Sequence, residues 1–190
     1  MKKYLHIALM LLCVFAVSSC KDDDDTKAVE QEAYRLEQDA AFQAKANDSR
    51  YEKWDSEAGN GFVFAKLIKK GDGKQAYFNS RVSVYYKGSL TDGTVFDHKL
   101  FDDGAPFRCA VYSSYANYDS RYNPDGYSSV ISGWGVALQH MVEGDKYEVW
   151  IPQQLAYGAS GSGSTIPGYS TLIFEIELVS VDEQAVAPTN

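Results

Sequence analysis

The apolar positions of this chain change period along its length, and the changes mark out elements. Val82, Val84 and Tyr86 alternate with Ser83, Tyr85 and Lys87, the signature of a half-buried strand. Tyr147, Val149 and Ile151 alternate again. So do Leu172, Phe174, Ile176 and Leu178, with Glu175 and Glu177 on the other face. A further strand signal over 62–68 stops at Gly71-Asp72-Gly73, and Thr91-Asp92-Gly93 marks another turn. Two stretches have helical character. Trp134, Ala137, Leu138 and Met141 fall at i, i+3, i+4 and i+7, one face of a short helix, and Gly144 suits its exit. Residues 28–46 are rich in Ala, Glu and Gln, with a thin apolar scatter of Tyr34, Leu36, Ala40, Ala41 and Phe42. That predicts a weakly docked helix or a stalk. Asn, Asp, Ser and Gly over 47–61 read as a linker. Antiparallel strands around one short helix make an α+β domain over 62–182, with 183–190 as a tail.

The N-terminus changes the picture by adding a compartment. Lys2 and Lys3 precede a mostly apolar run over 5–17, too short for a comfortable membrane span, and Ser18, Ser19 and Cys20 follow. This reads as a signal peptide over 1–19. Small residues directly before a cysteine resemble the lipobox of bacterial lipoproteins, which implies lipidation at Cys20 and a membrane anchor. Lys21 and the acidic run 22–25 resemble the surface-export signal of Bacteroidota lipoproteins. The resemblance implies an outer-membrane lipoprotein displayed at the surface, with a periplasm-facing anchor as the alternative. Charge bounds the partners. The chain carries −8, and without residues 1–19 it would hold 16 basic and 26 acidic residues, or −10. Nucleic acid is a poor partner for so acidic a chain. Of three cysteines, Cys13 falls in the signal and Cys20 at the anchor, so Cys109 has no intramolecular partner. Three histidines and no cysteine cluster give a metal site little support.

Two stretches carry candidate chemistry. Residues 82–97 read VSVYYKGSLTDGTVFD; residues 130–158 read VISGWGVALQHMVEGDKYEVWIPQQLAYG, followed by IPGYSTLIF at 166–174. Their order and spacing resemble the FK506-binding-protein (FKBP) family of peptidyl-prolyl isomerases over roughly residues 60–182. The resemblance implies a curved antiparallel β-sheet wrapped around one short helix, with a pocket between them. It implies cis-trans isomerisation of X-Pro bonds without any cofactor, with proline-containing polypeptides as clients and FK506-type macrolides as ligands. By the same resemblance Tyr86, Phe96, Asp97, Ile131, Trp134, Tyr157 and Phe174 carry catalysis, and Phe107, Val130 and Ile166 complete the substrate box. The Ile131 N–H and the Tyr157 hydroxyl would hold substrate carbonyls, and Asp97 would accept a hydrogen bond from Tyr86. The N-terminal helix is shorter than those through which some relatives dimerise, so a monomer is expected.

Several positions depart from the family pattern. HKLFDDGA at 98–105 lacks the basic residue many relatives carry after Phe-Asp. The loop 160–165 is rich in Gly and Ser, Thr165 replaces an aliphatic residue, Gly168 a common proline, and Ser129 stands where some relatives are acidic. These changes predict a smaller, more mobile flap. Between Ala110 and Val130, where relatives have a short connection, Tyr112, Tyr115, Tyr118, Tyr122 and Tyr127 surround an Asn123-Pro124-Asp125-Gly126 turn. The segment reads as a longer surface loop packed on the sheet, or as an adhesive surface beside the pocket. The second option supports an alternative function, a non-catalytic binding module on the same scaffold.

Overall fold

The computed structural model describes residues 23–112 and 127–184. Seven antiparallel strands form one sheet: β1 (Glu52–Asp55), β2 (Phe62–Lys69), β3 (Ser80–Leu90), β4 (Val95–Lys99), β5 (Phe107–Ala110), β6 (Lys146–Ile151) and β7 (Leu172–Gln184). Their order is β1-β2-β6-β7-β3-β4, with β5 also on β3. One long edge of β3 pairs with β7 along its whole length, while the other is shared. Arg81 to Val84 pair with β5 and Tyr86 to Ser89 with β4. Register shifts in β3 against both β7 and β4 bend the strand, as bulges do.

Strand alternation sorts the side chains onto two faces. Val63, Ala65, Val82, Val84, Val149, Ile151, Leu172, Phe174 and Ile176 enter the main core. Their neighbours Phe62, Phe64, Trp150 and Ile173 point to the opposite face. The main core is closed by helix α2 (Ser132–Gln139), in which all residues from Gly133 to Leu138 are buried. The expected one-sided helix is thus enclosed all round. Glycine makes this possible, because a Cβ at Gly133 would lie 2.3 Å from an Ile151 methyl. The helix ends at Gln139. Met141 is buried beyond it, and Gly144 (φ 89°) serves the turn before β6 rather than the helix exit.

Two segments differ from their sequence reading. Helix α1 spans Asp23–Gln43, and its residues from Ala33 onward belong to the compact unit that holds the sheet. There it is docked firmly. Phe42 lies 5.0 Å from Phe64 and 5.4 Å from Phe62, ring centre to ring centre, and Gln38 is buried. Its stripe is thin because the partner face supplies the aromatic surface. The 47–61 segment, read as linker, holds β1. Its one inward side chain, Trp54, stacks on His140 at 4.7 Å and meets the Tyr147 ring edge-on at 4.8 Å. A four-residue strand with a single apolar position leaves no period to detect.

Candidate functional site

The pocket begins with β3. At Tyr86 the strand turns a ring toward α2, where it meets Trp134 edge to face at 5.1 Å and Phe107 at 5.6 Å. Trp134 in turn stands perpendicular to Phe174 at 5.2 Å, and Phe174 to Phe96 at 5.5 Å. These are the separations and tilts that aromatic quadrupoles favour. Gly88 is what lets Phe96 and Phe174 close over β3. A Cβ there would sit 2.6 Å from one ring and 2.7 Å from the other. The β3–β4 register puts Asp97 across from Gly88, and the Tyr86 hydroxyl donates to Asp97 Oδ2 at 2.7 Å.

All ten residues singled out in the sequence line one cavity of about 530 Å³: Tyr86, Phe96, Asp97, Phe107, Val130, Ile131, Trp134, Tyr157, Ile166 and Phe174. Ser129, Ser162, Gly163 and Thr165 line it as well. Ser129 and Thr165 are departures from the family pattern, and Ser162 and Gly163 are lining residues that the sequence does not single out. Their only signal is membership of the Gly/Ser-rich loop. Trp134 is 3% exposed at the base, whereas Tyr157 at the rim is 41% exposed. Ile131 caps α2 with an extended backbone (φ −63°, ψ 152°). Among the described residues, neither its N–H nor the Tyr157 hydroxyl has a hydrogen-bond partner. Burial, reinforced by the bond to Asp97, pushes the Tyr86 phenol well above the usual tyrosine range. Burial and the nearby Asp97 charge raise Tyr157. Both hydroxyls therefore keep their protons at neutral pH. No group of three or more potential metal ligands occurs among the described residues. Such a cavity can desolvate and orient a ligand, with donors at the rim and aromatic faces below.

The flap over the cavity is more tightly built than its composition predicts. Ser162 and Ile166 exchange backbone hydrogen bonds at 2.9 and 3.1 Å, and Tyr169 N–H donates to Gly158 O at 2.9 Å. A Cβ at Gly168 would fall 2.0 Å from Ala159 O, and one at Gly161 2.1 Å from Ile166 O. Gly161 also has φ 66° and Tyr169 φ 67°, conformations that cost a side chain. Gly161 and Gly168 thus serve close backbone approach, while a Cβ at Gly163, in the same flap, would meet nothing within 4 Å.

Of the Tyr-rich segment, Tyr127 is buried. Arg108 Nη2 donates to its hydroxyl at 2.5 Å, and that hydroxyl lies 3.1 Å from Asp182 Oδ2. Tyr112 is exposed. Tyr115, Tyr118 and Tyr122 lie outside the described residues, as does the adhesive surface attributed to them.

The chain and its fold are similar to those of known proteins. The profile of the family described as FKBP-type peptidyl-prolyl cis-trans isomerase matches residues 73–179. A Trypanosoma cruzi protein named Macrophage infectivity potentiator is 34% identical over 177 residues, 92% of this chain and 79% of that one. The FKBP-type 22 kDa peptidyl-prolyl cis-trans isomerase of Escherichia coli K12 is 40% identical over 116 residues, 61% of this chain. This chain spans about half of that relative, 48% of its length. The crystal structure of a peptidyl-prolyl cis-trans isomerase from Pseudomonas syringae pv. tomato superposes with a TM-score of 0.56 at 27% identity, over 87% of this chain and 100% of that one. A curved antiparallel sheet with its short helix, an aromatic cavity between them, and a matching profile over more than half the chain lead to one assignment: the chain belongs to the FKBP-type peptidyl-prolyl cis-trans isomerase family.

Proposed function

We propose that this isomerase assists the folding of exported proteins from a lipid anchor in the outer membrane, and that the ten-residue cavity is where it works. Rotation about an X-Pro bond crosses a barrier of about 18–20 kcal/mol and takes tens to hundreds of seconds unaided. The twisted amide has lost its resonance, so its carbonyl is less dipolar than in the planar ground state. An apolar, water-poor cavity raises the planar form relative to the twisted one and lowers the barrier. Each 1.4 kcal/mol or so gives about tenfold in rate. The proline ring sits over Trp134, walled by Tyr86, Phe96, Phe107 and Phe174. The Ile131 N–H and the Tyr157 hydroxyl donate to the substrate carbonyls on either side, and Asp97 orients Tyr86 through their hydrogen bond. FK506-type macrolides, whose ring carries a proline-like group, compete for the same space.

The convergence of ten side chains on one cavity is the observation that supports the site. The anchor rests on the sequence alone: a signal-like run, Cys20 behind two serines, and the acidic segment 22–25. No helix of the described residues is long and apolar enough to cross a membrane, and lipid at Cys20 would hold the domain to a bilayer without one. A proline-limited refolding assay tests the activity on protein clients. Acceleration that a macrolide abolishes is the expected result; none from a folded protein would return the scaffold to a binding role. Mass spectrometry of the mature N-terminus tests the anchor. Diacylated Cys20 is expected, and an unmodified N-terminus elsewhere would remove it.

A further inference from the structure

Opposite walls of the cavity hang from loops whose roots lie outside it, and both roots meet one buried side chain. Gln38, on α1, is 2% exposed. Its Oε1 accepts from the Thr171 N–H at 3.1 Å, its Nε2 donates to Thr91 Oγ1 at 2.9 Å, and its backbone carbonyl accepts from Thr171 Oγ1 at 3.2 Å. Thr171 closes the flap that brings Ser162, Gly163, Thr165 and Ile166 to the cavity. Thr91 opens the tight turn into Phe96 and Asp97, a turn held by Leu90 N–H on Thr94 O at 2.9 Å and Thr94 N–H on Asp92 Oδ1 at 2.8 Å. One turn earlier on α1, the Tyr34 hydroxyl lies 2.9 Å from Ser170 Oγ, which donates to Pro167 O at 2.8 Å.

From this arrangement we infer that Gln38 is a positioning residue for the proline cavity, the amide that sets the distance between its flap and its Phe96–Asp97 wall. The inference rests on that cavity being the catalytic site. A primary amide suits the task. It offers an acceptor to one loop and a donor to the other from a rigid plane, and burial makes each bond costly to lose. Both loops are tied internally by the backbone hydrogen bonds of the Ser162–Ile166 and Leu90–Thr94 pairs, through which a shift at either root would be carried to the cavity. The part of α1 from Ala33 onward is thereby part of the catalytic unit, although it supplies none of the described residues that line the cavity.

The test uses the full-length chain and a proline tetrapeptide, reading kcat and KM separately. Gln38→Met keeps length and removes the amide; KM rises roughly five- to tenfold. A merely structural defect would instead leave an unfolded fraction, which lowers kcat and leaves KM alone. Gln38→Glu keeps an acceptor for each partner, since the Thr91 hydroxyl can donate, and brings KM back to within about twofold of wild type. Thr91→Val, at a partly exposed turn, gives a milder rise and serves if Gln38→Met fails to fold. Phe42→Ala weakens the same helix away from both loops; it lowers Tm and leaves KM unchanged. Wild-type KM in both Gln38→Met and Thr91→Val would overturn the inference. So would an equal KM rise in Phe42→Ala, which would assign the effect to helix docking in bulk. A wild-type chain without activity would overturn the cavity reading, and this one with it.

Discussion

At Trp134 stability and function meet in one side chain. Its indole is buried and stands at 5.1 to 6.3 Å from the Tyr86, Phe107 and Phe174 rings. Trp134→Ala empties the base of the cavity; it is expected to cost about 3–5 kcal/mol of stability and most of the macrolide affinity, read by denaturant titration and calorimetry. Tyr86→Phe separates the two roles. It keeps the ring contacts and removes the bond to Asp97, so stability should change little and kcat/KM fall about three- to tenfold. The phenols also fix an alkaline limit. Tyr86 and Tyr157 both bind their protons more firmly folded than unfolded. The stability they contribute is full below the ordinary tyrosine value of about 10 and is lost as pH rises above it toward the folded values. Thermal unfolding and ligand affinity should hold level from pH 7 to 9 as far as these groups decide it, and fall together above about pH 10. A drop beginning near neutrality would assign the titration to other groups.

At the scale of elements, the strands were legible where one face is buried and the other is not. Leu172, Phe174, Ile176 and Leu178 alternate with two glutamates, and β7 runs where they predict. The pocket residues were legible because ordered motifs carried them together; singly, Trp134 or Phe174 reads as core in any β-rich domain. What escaped had no periodic signal. β1 offers one inward residue. The docking of α1 depends on Phe62, Phe64 and Trp150, which complete a second apolar face only once the sheet is assembled. The flap glycines were read by composition, and composition cannot separate a glycine needed for freedom from one needed for contact. Gly168 decides between them. Gly168→Ala puts a methyl against Ala159 O, so the flap must open, and stability should fall by about 1–3 kcal/mol with kcat/KM reduced alongside. A glycine kept only for mobility would tolerate alanine and gain slightly in stability.

At the scale of the whole molecule, the contribution of the long connection between β5 and α2 is open to test. Its two ends are built into the domain. Val111 N–H donates to Ser80 O at 3.0 Å, Ser128 pairs with Arg108 and Ala110 through bonds of 3.0 and 3.1 Å, and Tyr127 is buried beneath Arg108 at 4.2 Å from its guanidinium. A replacement that spares these ends spans 113–126. Loop closure costs little per added residue, so replacing 113–126 with a short Gly-containing turn should leave Tm within a few degrees of wild type. Activity on a tetrapeptide should survive, since the ten residues of the proposed proline cavity lie outside that stretch. Tyr127→Ala should behave oppositely, removing a ring packed between Arg81 and Arg108 and costing about 2–4 kcal/mol. Refolding of a large proline-limited client then reads the segment's own contribution. If catalysis on that client falls while the tetrapeptide rate holds, the tyrosines at 115, 118 and 122 extend the client surface. If both rates hold, the segment is a spacer, and everything the enzyme does to a client is done by the cavity and the loops that frame it.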